Sequence, residues 1–244
     1  MRQDSANPAS APVTILVPYK APVPEWTWTG CYIGGHIGGG QVRSDLVFGS
    51  KDDVQGGIGF LGGGQAGFNY QVKQLVLGVE GELYASGLKV TSSFDEVDPP
   101  PSTFVQHAFS ELRNKWDASI ALRGGFTLDR ALFYGKLGVT WSRFDFSSSS
   151  QCCTATSPIT TDTGSATLPG LLLGAGVEYA LWSGWTAKAE YNYINYGSQT
   201  ISVQEFRNGV LTETISETER HNKQIVKVGL NYLFNSVGPM FTRY

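Results

Sequence analysis

Eight charged side chains stand where regular β-structure would bring them onto one face: Glu80, Glu82, Glu178 and Glu190 against Arg123, Lys136, Lys188 and Lys227. In "LVLGVEGELYA" the two glutamates are separated by one residue, and because strand side chains alternate between faces, both point the same way. A ring of one sign would select ions. Four acids matched by four bases suggest instead a hydrogen-bonded network, because isolated charges in a narrow interior are costly to desolvate.

The other chemistry-bearing residues form no comparable pattern. His36, His107 and His221 are the only histidines, and none stands at a metal-ligand spacing from another. The expectation is a hydrogen bond in an interior for His36 and solvated connections for His107 and His221. "GGGQAG" satisfies a dinucleotide pattern at Gly62, Gly64 and Gly67, but the strand-like "FNYQVKQLVLGVE" follows where a phosphate-binding helix would have to begin. Close packing in a sheet explains those glycines better. Serines are plentiful, yet no local motif marks a Ser, His and acid constellation. No catalytic, metal or cofactor site is expected. The three cysteines, Cys31, Cys152 and Cys153, are too few for a disulfide framework. Vicinal Cys152 and Cys153 read as a free or locally oxidised pair, with Cys31 toward the opposite edge of the fold.

Strands must position the charged set. In "QIVKVGLNYLF" the apolar series Val226, Val228, Leu230, Tyr232 and Phe234 alternates with Lys227, Gly229 and Asn231. Eight such segments span about 30–42, 58–71, 74–87, 114–128, 131–144, 168–181, 185–197 and 223–234. Their connections alternate. Residues 43–57, 88–113, 145–167 and 198–222 are long and polar, whereas tight links lie at Val72 and Lys73, Asp129 and Arg130, and Ser183 and Gly184. This predicts an all-β, eight-stranded antiparallel up-and-down transmembrane β-barrel with four long external loops and short turns at the other end.

Alternation alone does not separate a membrane barrel from a soluble β-barrel or sandwich, and composition decides between them. Only 16% of residues are charged, against roughly 25% in ordinary soluble domains. The polar face is crowded with glycines such as Gly63, Gly138 and Gly174, which suit the concave inside of a narrow barrel. Aromatics collect at strand ends: Tyr70, Phe126, Phe133, Tyr179, Trp182, Trp185, Tyr232 and Phe234 by the short turns, Trp116, Trp141 and Tyr193 by the long connections. Two such girdles mark two membrane interfaces. The eight charges then face a lumen. A net charge of −3 offers no field for nucleic acid, and no run approaches the ~20 apolar residues of a membrane helix.

Residues 1–25 read as an N-terminal Pro/Ala-rich linker, residues 26–234 as the barrel and residues 235–244 as a C-terminal tail. "MRQDSANPAS" lacks the apolar stretch of a secretory signal, so the signal is expected to have been removed or the start to be misplaced. "WTGC" lacks the preceding apolar region of a lipoprotein site.

"WTGCYIGGHIGGG", "LGVEGELYASG", "LRGGFTLDRALFYGKLGVTWS", "AEYNYINYG" and "VKVGLNYLF" together resemble the small outer-membrane β-barrels of alphaproteobacteria, the opacity-porin and OmpA-like surface antigens. The resemblance covers about residues 26–234 and implies location in the outer membrane, no cofactor, and a terminal aromatic at Phe234 that, with Tyr232, acts in assembly. Two departures are the continuation "NSVGPMFTRY" and Cys31 in place of a common aromatic. Expected partners are outer-membrane lipid and lipopolysaccharide, the barrel-assembly machinery and surface partners of the loops. Three functions compete: a structural or surface protein with a largely plugged lumen, a porin for small solutes, and a soluble β-barrel binding module.

Overall fold

In the computed structural model, which describes residues 26–45, 55–97, 105–152, 157–207 and 210–234, the period-two segments pair into one closed antiparallel ring. The strands are β1 (Gly30–Asp45), β2 (Gln55–Val72), β3 (Leu75–Ser86), β4 (Lys89–Val97), β5 (Val105–Leu128), β6 (Ala131–Cys152), β7 (Ile159–Ala180), β8 (Trp185–Arg207) and β9 (Val210–Phe234). Consecutive strands pair except β3 and β4, which both pair with β5, and β9 closes the ring on β1. The ring therefore has eight staves. The third is broken at Gly87 and Leu88, above which β4 pairs with β5.

Tight turns close one end, with Lys73 (φ 56°), Asp129 (φ 51°) and Ser183 (φ 45°) in the left-handed region. In the third turn, Gly184 is also left-handed (φ 86°) and Trp185 N–H donates to the Trp182 carbonyl, the primed geometry that suits twisted hairpins. At the other end the strands run further than their alternation predicts. Most of the polar stretches 88–113, 145–167 and 198–222 is strand, and β5 to β9 have 22 to 25 residues each, where about 9–11 cross a bilayer. Thr is favoured in strands and Thr–Thr or Thr–Ser pairs hydrogen-bond across them, so this polarity signals water outside the barrel and says nothing against a ladder. Residues 46–54, 98–104, 153–156 and 208–209, the linker 1–25 and the tail 235–244 lie outside the described residues, Cys153 among them.

The outer face carries Ile33, Leu77, Val79, Leu122, Leu137, Leu173, Val228 and Leu230 in the open. Trp116, Trp141 and the aromatics beside the turns are exposed at its two margins. Beyond Trp141 the meaning of the alternation inverts. Arg143 and Asp145 continue the outward series, while Phe144 and Phe146 turn inward against a buried cluster with Val42, Leu88, Leu168 and Ile194. On β5, Trp116 faces outward, a bulge lies between Asn114 and Trp116, and Arg113 and Glu111 take the outer face with Leu112 packed inside. Below this level the surround is lipid and the inside polar; above it the surround is water and the inside an ordinary apolar core. A second apolar cluster, Trp28, Val76, Leu132, Tyr134 and Ala180, fills the turn end. Trp28 enters it from the segment before β1, its backbone N–H donating to Gln71 Oε1 at 2.8 Å.

Candidate functional site

Between the two apolar clusters the lumen is charged. Glu80 and Glu82 come from β3, Arg123 from β5, Lys136 from β6, Glu178 from β7, Lys188 and Glu190 from β8, and Lys227 from β9. All eight are buried. They meet because inward positions recur at every second residue and the narrow ring brings opposing staves within reach of long side chains. Little room remains: a methyl group at Gly38 would lie 2.3 Å from the Val226 carbonyl oxygen and 3.0 Å from Lys227 Cγ.

Three lysines and three glutamates interlock at the centre. Lys227 Nζ is 2.8 Å from both Glu82 oxygens and 3.0 Å from Glu190. Lys136 Nζ reaches Glu80 at 2.6 Å, Glu190 at 3.1 Å and Glu82 at 3.3 Å. Lys188 Nζ lies 3.4 to 3.6 Å from the same three acids. Carboxylate oxygens of Glu80, Glu82 and Glu190 stand within 4.8 Å of one another, a donor set suited to a cation, and the three ammonium groups already supply that positive charge.

Arg123 extends the network toward the turns, 2.7 Å from Glu178 and 3.5 Å from Glu80. Its guanidinium stacks 3.9 Å over the Tyr134 ring and donates to the Tyr32 hydroxyl, which in turn donates to Glu80 at 2.7 Å. Tyr134 donates to Glu190 at 2.8 Å, and Thr186 and Asn231 donate to Glu178 at 2.5 and 2.7 Å. Gln65 bridges Asn231 and His36, whose Nδ1 is 2.5 Å from Gln65 Oε1. Remaining carboxylate lone pairs are thus occupied by hydroxyl and amide donors, the condition under which buried ions are tolerated.

A second charged pair was missed by the sequence reading. Lys223, wholly buried, bonds Asp117, and Ser142 donates to the same Asp117 oxygen. Tyr196 lies 2.6 Å from the Ser142 hydroxyl and Lys223 also reaches Asn114 at 3.4 Å. The signal existed: 223 and 227 share a face at period two. His221 belongs to the same inward series, and its expected place in a solvated connection is corrected. β9 already begins at Val210, so His221 is buried and stacked on Phe144 at 6.0 Å. His107, by contrast, is exposed beside Asp95.

Gly62, Gly64 and Gly67 all lie within β2, with a turn and a strand after them; there is no helix terminus to receive a phosphate. Cys31 is exposed at the turn end, paired in register with Phe234, and Cys152 ends β6 at the other. Tyr232 and Phe234 are outward on β9, 5.1 Å apart, with Trp185 5.4 Å from Tyr232.

Residues 9–234 match the family described as the outer membrane protein beta-barrel domain. The 31 kDa outer-membrane immunogenic protein of Brucella melitensis is 32% identical over 233 residues, 89% of this chain and 88% of that protein. The 22 kDa outer membrane protein of Rhizobium leguminosarum bv. viciae is 28% identical over 216 residues, 88% and 82% of the two chains. Among solved structures, Ail, the attachment invasion locus protein of Yersinia pestis, aligns over 83% of this chain and 99% of its own at 16% identity, with a TM-score of 0.38. With its lipid-facing exterior and its match over residues 9–234, the chain belongs to the outer-membrane β-barrel family, an integral protein of the outer membrane.

Proposed function

We propose that this barrel is a closed carrier: a surface protein that presents external hairpins on a plugged membrane anchor, neither an enzyme nor a general porin. The observation that carries this reading is the continuous filling of the lumen, apolar at the turns, ion-paired at the middle and apolar again at the external end. Eight staves enclose a space side chains can fill, whereas water-filled porins use about sixteen or more. Strands more than twice the length a bilayer needs lift the hairpins toward surface partners. In planar bilayers, single refolded monomers should give small or rare conductance events. Steady large steps would favour the porin reading and overturn this one.

Outer-membrane lipid, lipopolysaccharide and the assembly machinery are the partners of this reading, with Tyr232 and Phe234 as the aromatics read during assembly. Supporting this, the family match ends at Phe234, an outward aromatic at the end of β9. Removal of residues 235–244 should therefore leave insertion into the outer membrane unchanged, as measured by heat-modifiable migration of membrane fractions. Loss of insertion on that deletion would place the signal in the tail.

A further inference from the structure

The external margin of the lipid-facing wall is not uniform around the ring. Lys89, Arg113, Lys115 and Arg143 stand together on β4, β5 and β6; Lys89 and Arg113 pair closely with Glu111, whereas Lys115 and Arg143 share the one carboxylate of Asp145, each at 3.6 Å. Register places them. Lys89, Arg113 and Asp145 share one row; Arg143 pairs with Trp116 in the next; Trp141 pairs with Ala118 below. Arg143 is thus two residues, roughly 7 Å along the strand, above Trp141, at the level where the surround changes from lipid to water. On the opposite wall at this margin, β1 offers Arg43.

One strand over from Arg143, at its level and on either side of it, the wall is incomplete. The β7–β8 ladder stops at Thr163 and Gln204 and resumes at Leu171 and Asn195. Pro169, which has no N–H to donate, lies in the interrupted stretch and pairs in register with Trp141 on the other side. Gly197 adopts φ 65° at the facing bulge. The result is an apolar groove of about 460 Å³, walled by Val139, Trp141 and Leu171 and reaching in to Tyr196. Val139, Trp141 and Leu171 are 43 to 50% exposed toward the membrane, whereas Tyr196 is buried.

We infer that this wall is a binding site for a phosphorylated lipid of the outer leaflet, its phosphate on Lys115 and Arg143 and one acyl chain in the groove between β7 and β8. Cations above and a lipid-facing apolar slot below reproduce the two chemistries of one such molecule in their proper order. A free phosphate would have no use for the slot, and a protein partner would meet the hairpins before this margin. Arg143 is held outward for the role by its hydrogen bond to Ser165 at 2.6 Å. The inference rests on placement in the outer membrane and is independent of whether the lumen conducts.

The test is retention of diphosphoryl lipid A, followed by native mass spectrometry of refolded protein released from detergent, with folding checked by heat-modifiable migration. Lys115→Ser combined with Arg143→Ser should lower retention about tenfold, the scale of one charge-assisted contact. Val139→Trp, which fills the slot from the lipid side and touches no lumen residue, should lower it comparably, so the site stays testable if the double variant refolds poorly. Arg43→Ser on the opposite wall should leave retention as in the wild type. Wild type should also retain dephosphorylated lipid A about tenfold less, and millimolar inorganic phosphate should not displace the bound lipid. Unchanged retention in both site variants, an equal loss in Arg43→Ser, or displacement by phosphate alone would overturn the inference.

Discussion

Lys227→Met should lower the unfolding free energy of the barrel by about 3–5 kcal/mol, the cost of removing one partner from a buried ion pair. The ammonium is wholly buried and contacts Glu82 at 2.8 Å and Glu190 at 3.0 Å. Without it the eight-residue network holds four acids against three bases, with Glu82 buried among them. Methionine keeps most of the side-chain volume, so the loss reports charge rather than a cavity. Urea unfolding in detergent micelles, followed by tryptophan fluorescence, measures it. Adding Glu82→Gln restores neutrality and should recover more than half of the loss. A change below about 1 kcal/mol, the scale of an exposed pair, would mean that Lys227 is hydrated and the lumen open.

The charged layer was legible because two independent regularities coincided. Period two placed Glu80, Glu82, Glu178 and Glu190 on one face with Arg123, Lys136, Lys188 and Lys227, and the aromatic margins said which face was inside. What failed to show was the packing between those charges. Tyr32 and Tyr134 bond Glu80 and Glu190 from within the lumen, yet a tyrosine is at home in lipid interfaces, in cores and in polar interiors, so its type does not declare a face. The strand lengths were hidden for a different reason. Above Trp141 and Trp116 the solvent changes from lipid to water and the code reverses, so "SRFDFSSSS" reads as a loop by the rule that served "GKLGVTW". The same reversal concealed His221, which lies inside the upper core and not in solvent.

Asp117, near that reversal, should be among the most sensitive single positions in the molecule. Its carboxylate is the acidic partner of Lys223 and accepts from Ser142 as well, and neither Asp117 nor Lys223 is exposed to any degree. Asp117→Ala leaves a buried ammonium with Asn114 at 3.4 Å and the rings of Tyr84 and Tyr196 at 5.8 Å. The expected loss is again about 3–5 kcal/mol. Unlike Lys227, which contacts both Glu82 and Glu190 within a larger network, this pair is nearly isolated between the charged layer and the apolar cluster of Leu172, Ile194 and Ile225. That difference separates two explanations. If the pair is held only because each charge needs the other, Asp117→Leu with Lys223→Met should restore stability to within about 1 kcal/mol of wild type, since apolar replacement of a whole buried pair is often neutral. On the plugged-lumen proposal the same double change should leave conductance unaltered, because it does not touch the apolar cluster of Leu172, Ile194 and Ile225. A double variant as unstable as Asp117→Ala would show that Ser142, Tyr196 and Asn114 depend on the pair as one network, and that the lumen is locked at two polar levels instead of one.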